Sequence, residues 1–207
     1  MNPLPRVLAY LNDEIASRDD LGVGLAAIAA AGPEVALVAR LPNGGVEELT
    51  ALAERCMANA RPPGAQVYVT GRIDVVLEVG AQGMIARRDD PQVRDLRAVS
   101  TAPVILASVH GLAEAQEAVA SHADGLVVGT IWASESHPGR HGAGLDLISQ
   151  CAALGKPVYA IGGLTADRAR EAVAAGAYGV AAIGAIWGSA RPYAATVELL
   201  NAVRSEL

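Results

Sequence analysis

Imidazole rings, guanidinium groups and glycine-exposed peptide N–H groups are the reactive chemistry of this chain, and they cluster in a few short stretches. Two of its four histidines fall in "GLVVGTIWASESHPGRHGAG" (125–144), where an apolar run gives way to a polar loop with His137, Arg140 and His141. Histidine titrates near neutrality, so a pair on one loop suits proton transfer by general acid and base. The same residues also suit a merely solvated loop. A third histidine, His110, closes "PVILASVH" (103–110), placed to touch either a ligand or the start of the segment that follows. His122 ends a helix-like segment, where the helix dipole favours a cation, and is assigned to structure.

A second chemistry is anion binding. In "YAIGGLTADRAREAVAAGAYGVAAIGAIWGS" (159–189), Gly162-Gly163 and Ile183-Gly184 each follow an apolar run. Glycine allows close approach to the backbone, and free N–H groups there can hold a phosphate without lysine or arginine. The plain alternative is a tight turn. Arg40 ends "EVALVAR" (34–40) and is suited to an anion or carboxylate. Asp90, just before Pro91, reads either as a helix N-cap or as a ligand contact. Ser108 has the same two readings. Thr130 directly follows the glycine that closes "GLVVG" (125–129). Trp132 and Trp187 could wall an aromatic ligand or plug the protein.

The elements that must position these groups alternate along the chain. Short apolar runs lie at 6–11, 34–39, 65–69, 82–86, 103–107, 125–129, 157–161 and 178–183. Their length, β-branching and Gly/Pro flanks suit strands buried on both faces of a parallel sheet. Between them lie amphipathic segments such as 111–122 and 165–176, the latter opening on Thr165 as N-cap and stopping at Gly176. Eight strand–helix units in 207 residues predict an α/β protein with one domain over 1–207, a (β/α)8 or TIM barrel near its lower size limit. An open doubly wound sheet is the alternative, disfavoured because no glycine-rich loop follows the first strand. In such barrels the chemistry sits in the loops after the strands. All the candidates above fall there except His122.

Composition narrows the partners. The net charge of −6 argues against nucleic acid, whose phosphates need clustered cations. Cys56 and Cys151 stand alone in helix-like segments and read as reduced core thiols. The start "MNPLPRVLAYLNDE" lacks the pattern of a secretory leader, and no apolar run is long enough to span a membrane. The expected location is cytoplasmic. Phe is absent and aromatics are only 3%, so the core must be built from Ala, Val, Leu and Ile. The Ala-rich helices leave homo-oligomerisation open.

These motifs, in this order, resemble the thiamine-phosphate synthase and TenI superfamily over nearly the whole chain. "PVYAIGGLTADRAREAVAAGAYGVAAIGAI" is similar to the family's closing segment, "PVILASVHGLAEAQEA" to its strand-five region, and "ADGLVVGTIWASESHPGRHGAGLD" to its strand-six loop. The first half departs from the synthase pattern. Where synthases carry "QLREK", this chain has "ALVAR", which keeps one basic residue, Arg40. Where their "NDR" supplies an aspartate for magnesium, it has Thr70-Gly71-Arg72. Asp90 matches the acid that ends "GVHLGQxD", Ser108 the family serine, and His137 the loop lysine.

With one metal ligand missing, the resemblance implies the TenI-type reaction: a thiazole tautomerase, an isomerase that moves a proton in a carboxylated thiazole phosphate. On this expectation Gly162, Gly163, Ile183 and Gly184 hold the phosphate of the small substrate, and Arg40 holds its carboxylate. His137 or His141 shuttles the proton, with His110 in reserve. Asp90, Ser108 and Thr130 supply further contacts, and no cofactor or metal is needed. The alternative is a synthase that joins a pyrimidine diphosphate to the thiazole phosphate with Mg2+, using Arg72, Arg87, Arg88 or Arg140 as substitute clamps. A second alternative is a barrel that binds a phosphorylated metabolite without turnover.

Overall fold

In the computed structural model, which describes residues 3–61, 64–101, 103–133 and 142–204, each expected apolar run is a strand. They are β1 (Val7–Tyr10), β2 (Val35–Ala39), β3 (Gln66–Thr70), β4 (Gly83–Ala86), β5 (Val104–Val109), β6 (Gly125–Gly129), β7 (Val158–Ile161) and β8 (Gly179–Ala182). All pair in parallel with their chain neighbours, and β8 pairs with β1, which closes the barrel.

The helices return the chain between strands. They are α1 (Asp13–Ala16), α2 (Leu21–Ala29), α3 (Val46–Asn59), α4 (Ile73–Val79), α5 (Val93–Val99), α6 (Leu112–Ala120), α7 (Leu145–Ala152), α8 (Ala166–Ala174), α9 (Gly184–Trp187) and α10 (Pro192–Arg204). Local chemistry sets their ends. Thr165 caps α8, its hydroxyl accepting from the Arg168 N–H at 3.3 Å. Just past the helix, Gly176 takes a φ of 102° that a side chain would resist. The four-residue α1 rests on Asn12, whose Oδ1 accepts from the Ile15 N–H at 2.9 Å. No helix is long and apolar enough to cross a membrane among the described residues.

Strand alternation sorts the core into two layers. One set of side chains fills the barrel: Leu8, Tyr10, Ala36, Val38, Tyr68, Ile85, Leu106, Val127, Tyr159 and Ala181. The intervening residues pack outward on the helices. With no phenylalanine, tyrosine supplies the bulk inside. Tyr68 is fully buried against Gly83, where a Cβ would lie 2.7 Å from its ring. At the end away from the strand C-termini, Tyr159 donates to the Pro5 carbonyl at 2.7 Å and meets Tyr178 edge-on at 5.6 Å. The Arg6 guanidinium lies 3.8 Å above the Tyr178 ring. That end is plugged by packing, which leaves the opposite mouth for chemistry.

Candidate functional site at the barrel mouth

The two-residue period that points Tyr10, Val38, Tyr68, Ile85 and Leu106 into the barrel continues to the strand ends. One further step places Arg40, Thr70, Arg87 and Ser108 on the inward side at the mouth. Arg40 has no hydrogen bond or ion pair among the described residues, and it is not one of those with an unspecified partner. Burial pushes the nearby Tyr10 phenol well above its ordinary range, against the pull of the Arg40 charge. Thr70 is 7% exposed, yet its Oγ1 is buried without a hydrogen-bond partner. An unmet buried hydroxyl costs free energy, and the register that pairs Ala39 with Val69 sets Thr70 on the strand beside Arg40.

The next two strands supply a second cation with its own support. The side-chain oxygens of Asp90 accept from the Arg87 backbone N–H at 2.6 Å and from Arg87 Nε and Nη2 at 3.2 and 2.9 Å. The Asp90 side chain is 5% exposed and that of Arg87 51%, so the pair has a sheltered anion beneath an accessible cation. These hydrogen bonds hold the Arg87 pKa above its ordinary value. The geometry settles one open reading: α5 starts at Val93 with Gln92 as its N-cap, so Asp90 pins a turn instead of capping a helix. Ser108 likewise caps nothing. It lies within β5, and Gly111 is the N-cap of α6.

His110 is engaged from below. Its backbone N–H donates to Glu114 Oε2 at 2.8 Å, and its Nδ1 lies 3.3 Å from the same oxygen. Arg88 reaches Glu114 Oε1 at 3.3 Å. Burial works against the Glu114 charge, but the His110 bonds and Arg88 hold its pKa below the ordinary value. His110 thus meets the N-terminal turn of α6. Arg72 is occupied by Asp74, with Nε to Oδ1 at 2.8 Å. His137, Arg140 and His141 lie outside the described residues.

Opposite this polar arc lie the glycines. Gly162 and Gly163 have φ of 102° and 64°, and the loop after β6 presses on both: Thr130 covers Gly162, and Trp132 with Ala133 covers Gly163. Arg168 Nη1 donates to the Gly163 carbonyl at 2.6 Å, and its guanidinium lies 5.5 Å from the centre of the Trp132 ring. Thr130 also accepts from the Ala143 N–H at 2.9 Å, which pins the two stems of the loop together. A Cβ at Gly184 would meet nothing within 4 Å, so open space faces this residue beside Ile183. The N–H groups of Gly163 and Gly184 make no turn, loop or cap bond among the described residues. Trp187 is packed against Gly24 of α2 in the outer core layer and is 5% exposed, so it neither walls nor plugs the mouth.

Sequence reasoning missed the orphaned Thr70 hydroxyl and the seating of Arg87. The first was accessible from the two-residue period carried one step past Tyr68. The second needed β3 and β4 side by side.

Known proteins similar to this chain agree with one another. A family model described as thiamine monophosphate synthase matches residues 11–186. The thiamine-phosphate synthase of Salinispora arenicola is 35% identical over 202 residues, 95% of this chain and 96% of that protein. That of Mycolicibacterium gilvum is 36% identical over 162 residues, 77% of this chain and 67% of the relative. The solved structure of a thiamine phosphate pyrophosphorylase from Pyrococcus furiosus superposes with a TM-score of 0.81 at 27% identity, covering 98% and 97% of the two chains. These likenesses overturn the expectation of a thiazole tautomerase, and with it the isomerase assignment: the relatives are named as synthases. That expectation rested on residues missing from the synthase pattern, the acid at position 71 and the basic residues of strand two, and the likeness over nearly the whole chain outweighs them.

Proposed function

This chain belongs to the thiamine monophosphate synthase family, and on that premise we propose that it is a transferase joining a pyrimidine diphosphate to a thiazole phosphate. In this reaction the bond from carbon to the diphosphate oxygen breaks and the electron pair leaves with pyrophosphate. The lone pair of the thiazole nitrogen closes the new carbon–nitrogen bond. No proton shuttle is required. The enzyme's task is to hold two anions in register and to stabilise the charge that grows on the leaving group.

The observation that carries this reading is that Arg40 and the Thr70 hydroxyl, on neighbouring strand ends of the inward face, both lack a partner among the described residues. A monophosphate bound at the glycines leaves that arc unused, and a diphosphate fills it. In the proposed arrangement Arg40, Arg87 and Thr70 take the diphosphate. Gly162, Gly163, Ile183 and Gly184 take the thiazole phosphate, and Ser108 and Thr130 line the space between. Guanidinium groups suit the first task because their fork matches phosphate oxygens in pairs.

The magnesium implied by the family does not fit the residues present. Mg2+ in such sites is held by one or two carboxylates together with phosphate oxygens. Position 71 is glycine, and Asp90 is already committed to Arg87.

The test is direct: purified protein, both substrates, and detection of thiamine phosphate and released pyrophosphate. Equal amounts of the two products are expected. Absence of both, with or without Mg2+, contradicts the reading.

A further inference from the structure

The misfit at position 71 has a specific shape. Gly71 has a φ of 82°, and a Cβ built on it would lie 2.7 Å from both Nε and Nη2 of Arg87 and 2.8 Å from its Cζ. The guanidinium therefore occupies the volume that a side chain at position 71 would need. It is fixed there from two sides. The Gly71 N–H donates to the Ile85 carbonyl at 3.0 Å, which ties the end of β3 to β4. The Asp90 carboxylate holds both the backbone N–H and the Nε–Nη2 edge of Arg87. Arg87 Nη1 makes no bond among the described residues, and the side chain is half exposed.

We propose that Arg87, seated over Gly71 and anchored on Asp90, stands where a divalent cation would otherwise hold the diphosphate, so that pyrophosphate binding and release in this chain do not depend on Mg2+. This rests on the synthase reading. A metal ion placed on Asp90 would have to displace the guanidinium from its Nε and Nη2 hydrogen bonds and then sit beside its positive charge. The pair already provides what the ion would supply: a fixed positive charge at the site where negative charge develops, oriented before the reaction begins. Arg87 can offer its free edge to the bridging and terminal oxygens of the diphosphate. Thr70 Oγ1, one strand away with no partner among the described residues, adds a donor to the same group. The arrangement needs an arginine at 87, a carboxylate at 90 and no side chain at 71, and the chain has all three.

The test uses inorganic pyrophosphate as the probe. Its affinity for the full chain is measured by titration calorimetry in EDTA and again with Mg2+, at matched free pyrophosphate. Wild-type protein should bind equally, within about twofold, in both. Mn2+ titrated into wild-type protein with pyrophosphate should show no protein-bound signal by electron paramagnetic resonance. Arg87→Gln should lose about tenfold or more in EDTA, the worth of a hydrogen bond to a charged group. The inference is overturned by tenfold tighter wild-type binding with Mg2+, by a protein-bound Mn2+ signal, by a folded Arg87→Gln that binds as wild type, or by no pyrophosphate binding at all. The wild-type arms decide the matter even if Arg87→Gln fails to fold. Thiamine phosphate formation, followed in EDTA and in Mg2+, separates the two claims. Product only with Mg2+ sinks the role of Arg87 and keeps the synthase. No product in either sinks the synthase and leaves the pyrophosphate titration to judge Arg87.

Discussion

Arg40 carries its charge at the barrel mouth without a protein partner among the described residues, so removing that charge should cost ligand affinity and not stability. Arg40→Gln is expected to weaken pyrophosphate binding about tenfold or more and to leave the melting temperature within about 2 °C of wild type. Calorimetric titration and thermal unfolding on the same sample check both halves. The cysteines give the opposite case, groups withdrawn from chemistry. Burial pushes the Cys56 thiol up to about 12 and raises Cys151 as well. The thiolate is the reactive form, so at pH 8 neither should react with Ellman's reagent in the folded protein, and both should react in denaturant. Fast reaction of either in the native state would contradict the burial. Arg40 was legible in the sequence because a basic residue directly after an apolar run can only lie at a strand end. The Arg87–Gly71 contact was not, because a helix and a strand separate the two in the chain and only the pairing of β3 with β4 brings them together.

At the scale of elements, the glycines divide into those the fold requires and those it tolerates. Gly163 has a φ of 64°, and a Cβ there would stand 2.7 Å from the Ala133 carbonyl. Gly163→Ala should destabilise by about 1–3 kcal/mol, from backbone strain and crowding together, and should disturb the stem of the loop after β6. Gly22 lies in α2 with nothing within 4 Å of its missing Cβ. Gly22→Ala should be neutral or stabilise by up to about 1 kcal/mol. Denaturant unfolding of the two variants tests the contrast. All eight strands were readable from apolar runs, since strands buried on both faces leave a strong signal. Their ends were less so: the run 178–183 yields β8 at Gly179–Ala182. The four-residue α1 was invisible to periodicity because its support is one capping side chain, Asn12. The Gly-Gly pair was legible as a turn or cup. Its packing against Thr130 and Trp132 became visible only when β6 lay beside β7.

On the scale of the whole molecule, the barrel reconciles an acidic protein with the anionic substrates proposed for it. The chain has a net charge of −6, so no global field draws phosphates in. Among the described residues the mouth concentrates Arg40, Arg87, glycine amides without a turn, loop or cap bond and an unmet hydroxyl, while the far end is sealed by tyrosines. The fold class and its reactive face followed from eight alternating units. The reaction did not, because the seat that Arg87 takes over Gly71 is a spatial contact that the sequence does not display. The most direct measurement is the stoichiometry of product formation by purified protein given the pyrimidine diphosphate and the thiazole phosphate. One thiamine phosphate is expected for each pyrophosphate released, at rates that EDTA leaves unchanged within about twofold, as charge stabilisation by the proposed guanidinium groups requires. No thiamine phosphate under any condition would contradict it at its centre.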